Sequence, residues 1–115
     1  MKKLLIPSIF FVLLISFSFA QKPYKVVFYN LENFFDTIND PEVLDDEFTP
    51  DGPKKWNTAK YNKKLNNTER VLFDIAAIDK NYPIVIGVSE VETRGVLEDI
   101  VATPKLAPAN YRIAH

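Results

Sequence analysis

The feature that most constrains the fold is a short run of apolar side chains at residues 84–88, IVIGV. Pro83 precedes this run and polar residues follow it, so the run has the length of a strand and not of a helix. Strands with apolar side chains on both faces are typical of parallel sheets that are covered by helices. Residues 24–30 begin just after Pro23 and are rich in β-branched and aromatic side chains, so they predict a second strand.

The segments around these strands predict helices. Residues 58–80 place apolar side chains on one helical stripe, which Asn57 or Thr58 can cap. The stripe consists of Tyr61, Leu65, Leu72, Ile75 and Ile78. Residues 93–102 predict a shorter helix, and residues 111–114 predict the start of a third strand. The inward side chains of the shorter helix are Val96, Leu97, Ile100 and Val101. This order of strands and helices indicates a layered α/β fold.

Composition excludes several kinds of site within these residues. The chain has no cysteine and a single histidine, His115, which excludes disulfide scaffolds, thiolate zinc sites, cysteine nucleophiles and histidine-based triads. The 14 basic and 15 acidic residues lack the positive excess of a high-affinity nucleic-acid binder. This charge is still compatible with an enzyme that meets phosphate groups through a divalent cation.

The first twenty residues have the three parts of a secretion signal. Lys2 and Lys3 form the charged start, and residues 9–15 are an unbroken apolar stretch. Ser18 and Ala20 are the small residues of a cleavage site. The apolar stretch is shorter than the ~20 residues of a spanning helix, so we favour cleavage after Ala20 over a membrane anchor. The sequence therefore predicts an exported protein (periplasmic, cell-envelope or secreted) that has no stable membrane insertion after cleavage.

Polar side chains follow each of the two predicted strands. These clusters are residues 30–33, Asn-Leu-Glu-Asn, and residues 89–92, Ser-Glu-Val-Glu. Ligands of open α/β sheets gather beyond the carboxyl ends of the strands. An amide oxygen and a carboxylate that meet there are hard ligands, which suit Mg²⁺ or Mn²⁺. The alternative is that each cluster only begins a turn.

The two motifs together resemble the opening of the endonuclease/exonuclease/phosphatase superfamily of DNase-like, metal-dependent phosphoesterases. Its first motif is an apolar strand that ends in an aromatic residue and an asparagine, matched here by Tyr29 and Asn30. Its second motif is a strand that begins near a proline and ends in a carboxylate, matched by Glu90. The acidic loop that ends at residues 48–56 is similar to that of secreted or envelope members from bacteria. The resemblance implies that residues 21–115 are the N-terminal portion of a four-layer α/β sandwich, incomplete in this chain.

The resemblance also implies a hydrolytic function and two candidate catalytic and metal-binding residues. Asn30 would orient the phosphate or a metal-bound water, and Glu90 would bind Mg²⁺ (or Mn²⁺). The family's water-activating histidine–aspartate pair and its Asp-x-Asn segment belong to a C-terminal half, and His115 falls too early to be that histidine. We therefore expect these 115 residues to be inactive alone.

Nucleic acid is the favoured substrate. Lipid or sugar phosphodiesters are alternative substrates for the same hydrolysis. No residue is assigned to substrate binding. A non-catalytic exported binding module on the same half-fold is a different interpretation, and its ligand affinity would survive EDTA. A third interpretation is a gene product that does not fold.

Four further features have two interpretations each. Glu92 is favoured as an acid in the first turn of the helix at residues 93–102 over a second metal ligand. Asn33 either packs beside Asn30 or closes a turn. A solvated charge run is favoured over a Ca²⁺ site for the acids Asp45, Asp46, Glu47 and Asp51. A solvated helix face and contacts to a nucleic-acid backbone explain equally well the lysines Lys54, Lys55, Lys60, Lys63 and Lys64.

Overall fold

The structure is a computed structural model that describes residues 23–115. Two strands and two helices alternate along the chain, in the order β1 (Val26–Phe34), α1 (Thr58–Ala77), β2 (Val85–Val91) and α2 (Arg94–Ala102). Short 3-10 turns lie at Asp46–Phe48 and Ala107–Ala109. The predicted secretion signal lies outside the described residues. Within residues 23–115, no helix combines the length and the apolar character that crossing a membrane requires.

The two strands form a parallel sheet, as the apolar run of β2 predicts. Val26 lies opposite Val85, and the register is regular as far as Asn30, which lies opposite Ser89. Both strands extend beyond their predicted ends, because the polar clusters continue the pairing: Phe34 lies opposite Val91, and the Glu92 amide donates to the Phe34 carbonyl at 3.1 Å. The predicted α/β fold class is confirmed, and the candidate residues lie within the last paired part of the sheet.

Helix α1 begins where its cap predicts and ends before residue 80. The Asn57 side chain accepts a hydrogen bond from the Lys60 amide at 3.1 Å, which satisfies one of the free donors of the first turn. At the other end, the Lys25 ammonium donates to the Ile75 carbonyl at 2.6 Å, and Lys80 adopts a left-handed conformation with φ of 58°. The chain leaves the helix here, so Ile78 is 81% exposed and its predicted place on the buried stripe is wrong.

The core lies between the sheet and the two helices. Phe34 and Leu31 of β1 meet Tyr61 and Leu72 of α1 there, and the Phe34 and Tyr61 rings lie 5.3 Å apart. The remaining members are Val96, Ile100 and Leu106. Helix α2 is capped by the Thr93 hydroxyl and turns Val96 and Ile100 inward, as predicted. This core fixes α1 against the end of β1, which positions the candidate site.

The predicted strand at residues 111–114 is wrong. The segment forms no strand, and within residues 23–115 its backbone pairs with neither β1 nor β2. Side chains anchor it instead. The Tyr111 hydroxyl donates to the Pro83 carbonyl at 2.8 Å, and Arg94 Nη1 donates to the Ile113 carbonyl at 3.3 Å. An apolar pattern alone does not make a strand without a partner for its backbone groups.

Candidate functional site

Asn30 and Glu90 meet at the carboxyl end of the sheet. Asn30 Nδ2 donates to Glu90 Oε1 at 2.9 Å, and the Asn33 backbone amide donates to Glu90 Oε2 at 3.1 Å. Both Asn30 and Glu90 are exposed. Each carboxylate oxygen therefore has one donor from β1 and keeps a side open to solvent. The structure thus brings the two predicted site residues together and adds the Asn33 amide to them.

An irregularity in the strand pairing surrounds Glu90. Between the pairs Asn30–Ser89 and Phe34–Val91, β1 has three residues and β2 has only Glu90. Glu32 and Asn33 adopt left-handed conformations with φ of 53° and 59°, and Glu90 has φ of 57°. Such conformations cost roughly 1–2 kcal/mol in a glutamate, whereas asparagine adopts them more readily. The bulge is therefore maintained by its surroundings, and it turns the Asn33 amide toward the carboxylate.

Two groups support this bulge. The Asn30 Oδ1 atom accepts a hydrogen bond from the Glu32 amide at 2.8 Å, which closes a local turn. Lys64 of α1 donates to the Glu32 carbonyl at 2.6 Å and to the Asn33 carbonyl at 3.4 Å. Burial lowers the pKa of Lys64, while the charges of Glu32 and Glu90 act in the opposite direction. Helix α1 thus contacts the candidate site through Lys64.

Glu92 has a different environment from Glu90, although it is only two residues away. Its Oε2 atom accepts from the Asp36 amide at 2.8 Å. Burial raises the pKa of Glu92, and the nearby charges of Asp36 and Asp45 raise it further. Helix α2 begins at Arg94 after the Thr93 cap, so the prediction that Glu92 lies in the first turn is wrong. It connects β2 to the acidic loop instead.

Comparison with known proteins agrees with the two motifs. A model of the endonuclease/exonuclease/phosphatase family matches residues 25–115, which is most of the chain. The chain belongs to the endonuclease/exonuclease/phosphatase family. Neither the curated proteins nor the solved structures gave a match. Family membership supports phosphoester hydrolysis as the general class of reaction, with phosphodiesters as the suggested substrates and with the divalent-metal dependence that is general in this superfamily.

The donor set around Glu90 fits a magnesium-type ion in kind. Among residues 23–115, no three acidic or histidine side chains are grouped closely enough to enclose a metal. Mg²⁺ does not need such a cage, because it usually binds through one or two carboxylates and keeps several waters. The exposed Glu90 carboxylate meets that requirement. The Asn30 amide nitrogen faces Glu90 and its oxygen accepts from Glu32, so Asn30 orients the carboxylate in this geometry.

The acidic loop of this family member does not gather its carboxylates around one point. Asp46 accepts from Asn39 at 2.8 Å, and Glu47 forms an ion pair with Lys54 at 3.1 Å. Asp45 is 1% exposed, and its Oδ2 atom accepts from the Asp40 amide at 3.0 Å. The prediction of a solvated charge run is therefore wrong for Asp45, which is buried because the loop folds over it.

Aromatic side chains connect the same loop to α1. The Phe35 and Phe48 rings stack with centroids 4.1 Å apart, and Trp56 Nε1 donates to the Phe35 carbonyl at 2.9 Å. The Lys64 ammonium lies 5.7 Å from the Trp56 ring and 5.3 Å from the Phe34 ring. The acidic loop therefore packs, through Trp56, beside Lys64, which contacts the bulge of the candidate site.

Several lysines of α1 border a cleft of about 400 Å³ beside Asn30 and Glu32. Lys60 donates to the Lys54 carbonyl at 2.6 Å, and Lys64 donates to the bulge. Both side chains therefore bind carbonyl groups, which a fully solvated helix face does not predict. Lys63 is exposed at the same cleft.

Sequence reasoning missed the contributions of Lys64 and of the Asn33 amide. The lysine pattern predicts for Lys64 only a solvated helix face or a contact to a nucleic-acid backbone. Its position three residues after Tyr61 places it next to the buried face of α1, and that spacing is the signal that was available. The left-handed bulge that turns the Asn33 amide toward Glu90 has a local signal only at Asn33, because asparagine adopts this conformation more readily than other residues except glycine, whereas Glu32 gives none.

Proposed function

We propose that this protein is an exported, divalent-metal-dependent phosphoesterase that hydrolyses phosphodiester bonds, with nucleic acid as the substrate. The observation that carries the proposal is the Glu90 carboxylate, which is exposed at the carboxyl end of the sheet and oriented by Asn30 and the Asn33 amide. Family membership supplies the class of reaction.

Each residue has a defined part in this proposal. Glu90 would hold Mg²⁺ or Mn²⁺ through its carboxylate. Such a cation would supply positive charge to offset the negative charge that develops on phosphoryl oxygens. Asn30 fixes the Glu90 carboxylate through its amide nitrogen and faces the solvent from which the phosphate arrives. Glu92 is not a ligand in this account, because its carboxyl group is directed to Asp36 and Asp45.

Activation of the attacking water needs a general base that these 115 residues do not supply in family form. His115 is the single histidine of the chain, and it does not follow the family's C-terminal motifs. We propose that further sequence of the same domain provides the histidine–aspartate pair. We also propose that residues 1–20 direct export and are removed after Ala20.

The test begins with sequencing of the gene through codon 115 and onward. If the frame continues, the complete exported product is assayed for nicking of plasmid DNA in Mg²⁺, with EDTA, Glu90→Gln and Glu92→Gln as the comparisons. We expect nicking that EDTA and Glu90→Gln abolish and that Glu92→Gln preserves. The mature N-terminus of the same product should be Gln21.

Three outcomes would contradict the proposal. A stop codon after His115 would remove the enzyme function from this molecule. Nicking that persists in EDTA would contradict the proposed dependence on a divalent metal. A product that binds DNA in EDTA without cutting it in Mg²⁺ would favour a binding module.

A further inference from the structure

We propose that Lys64 is a positioning residue for Glu90, which acts through the bulge of β1 and does not itself touch substrate. The inference deepens the proposed function and rests on it for one of its two measurements. It starts from the contacts of the Lys64 ammonium, which donates to the carbonyls of both left-handed residues, Glu32 at 2.6 Å and Asn33 at 3.4 Å.

The bulge is the structural link between Lys64 and Glu90. Its amide at Asn33 donates to Glu90 Oε2, and its carbonyls accept from Lys64. The conformation that directs the amide toward the carboxylate is left-handed at two consecutive residues, which side chains other than glycine adopt only when their surroundings favour it. Lys64 provides a donor on the side of the bulge away from Glu90.

The position of Lys64 is itself constrained. Tyr61 and Leu72 anchor α1 in the core, so the backbone of Lys64 is fixed relative to β1. The ammonium lies near the faces of the Phe34 and Trp56 rings, at 5.3 Å and 5.7 Å from their centroids. Such ring faces attract a cation and restrict where it can move. An ordinary solvated lysine lacks these constraints, which is why Lys63 provides a matched comparison.

Two possible roles of Lys64, as a nearby positive charge and as a positioning residue, predict opposite effects on metal binding when Lys64 is removed. If Lys64 acted only as a nearby positive charge, its removal would tighten the binding of a cation at Glu90. If it positions Glu90, its removal weakens binding, because the carboxylate loses the orientation that the Asn33 amide gives it. Removal of an outer hydrogen-bond partner of a metal ligand typically weakens metal affinity about 10-fold or more.

The experiment uses the full chain and two measurements. The first is the affinity for Mn²⁺, measured by electron paramagnetic resonance for wild type, Lys64→Met, Lys64→Arg and Lys63→Met. We expect a loss of up to about 10-fold for Lys64→Met, partial rescue by Lys64→Arg, and unchanged or slightly tighter binding for Lys63→Met. The second is the amide signal of Asn33 in nitrogen-15 NMR spectra. We expect Lys64→Met to shift this signal and to weaken its exchange protection.

The two measurements separate the inference from the proposed function. Wild-type chain that binds no Mn²⁺ would contradict the proposed function, while the Asn33 amide would still decide the role of Lys64. An Asn33 signal that Lys64→Met leaves unchanged would overturn the inference, and so would tighter Mn²⁺ binding in that variant. If Lys64→Met unfolds the chain, Lys64→Arg replaces it. We expect Lys64→Arg to keep the exchange protection of the Asn33 amide at least in part, and complete loss of that protection would overturn the inference.

Discussion

Glu90 and Glu92 lie two residues apart in the same motif, yet their surroundings differ in kind. Glu90 is exposed, and both of its carboxylate oxygens accept hydrogen bonds from β1. Glu92 is half-buried and lies between Asp36 and Asp45. One Asp45 oxygen is buried without a hydrogen-bond partner among the described residues. The comparison shows that the site chemistry is decided by what each carboxylate faces, not by its place in the motif.

The largest effect is expected from Phe34, on which both carboxylates depend. Phe34 lies opposite Val91, which is the residue between Glu90 and Glu92. The Phe34 side chain is fully buried. We expect Phe34→Ala to lower the free energy of unfolding by about 3–5 kcal/mol, because the substitution leaves a cavity that the surrounding side chains fill only in part. Urea unfolding measures this change. Phe28 of the same strand is 73% exposed, and Phe28→Ala should stay within about 0.5 kcal/mol of wild type. Equal losses for the two variants would show that β1 is packed differently.

The two glutamine substitutions should change stability in opposite directions. Glu90→Gln places an amide group where two donors now meet a carboxylate, so we expect a loss of about 1 kcal/mol. Glu92→Gln can keep an oxygen for the Asp36 amide and turn its nitrogen toward the unpartnered Asp45 oxygen. We expect a gain of about 1 kcal/mol at pH 7. Urea midpoints of the two variants measure the difference. Changes of the same sign would remove the contrast between the two environments.

The smallest effect is a pH dependence that only Glu92 should produce. Burial raises its pKa above the ordinary 4.5 in the folded chain, so the folded state binds the proton more tightly than the unfolded state. The free energy of unfolding therefore falls as the pH rises from about 4.5 through the raised pKa. This fall should be absent in Glu92→Gln. Unfolding midpoints measured between pH 4 and pH 8 report it.

An unchanged pH slope in Glu92→Gln would show that another group is responsible. Asp79 does not confuse the result. Its hydrogen bond to Lys25 lowers its pKa below 3.8, so the stability it contributes is lost only as the pH falls below that value.

Local chemistry explains the parts of the fold that the sequence predicts well. The side chains of Asn57 and Thr93 cap their own helices, so the starts of α1 and α2 need no distant partner. The apolar run of β2 likewise predicts a covered strand from its own residues, although its pairing partner β1 lies about 60 residues away. The end of α1 depends instead on Lys25, which is 50 residues away from the Ile75 carbonyl that it binds. A pattern within the helix does not contain that contact.

The candidate site divides in the same way. The proximity of Asn30 and Glu90 follows from their places at the ends of neighbouring strands and from the family resemblance. Three other features depend on contacts across loops and helices: the left-handed bulge, the Lys64 contacts, and the approach of Asp45 to Glu92. The sequence predicts the ligand, and the structure adds the groups that orient it.

The most direct measurement is a titration of the full chain with Mn²⁺, comparing wild type, Glu90→Gln and Glu92→Gln by electron paramagnetic resonance. Circular dichroism of each variant serves as the control for folding. We expect wild type and Glu92→Gln to bind Mn²⁺ with similar affinity and Glu90→Gln to lose at least about 10-fold, because one ligand is removed from a site with few others. Loss of binding in Glu92→Gln, with binding retained in folded Glu90→Gln, would contradict the account.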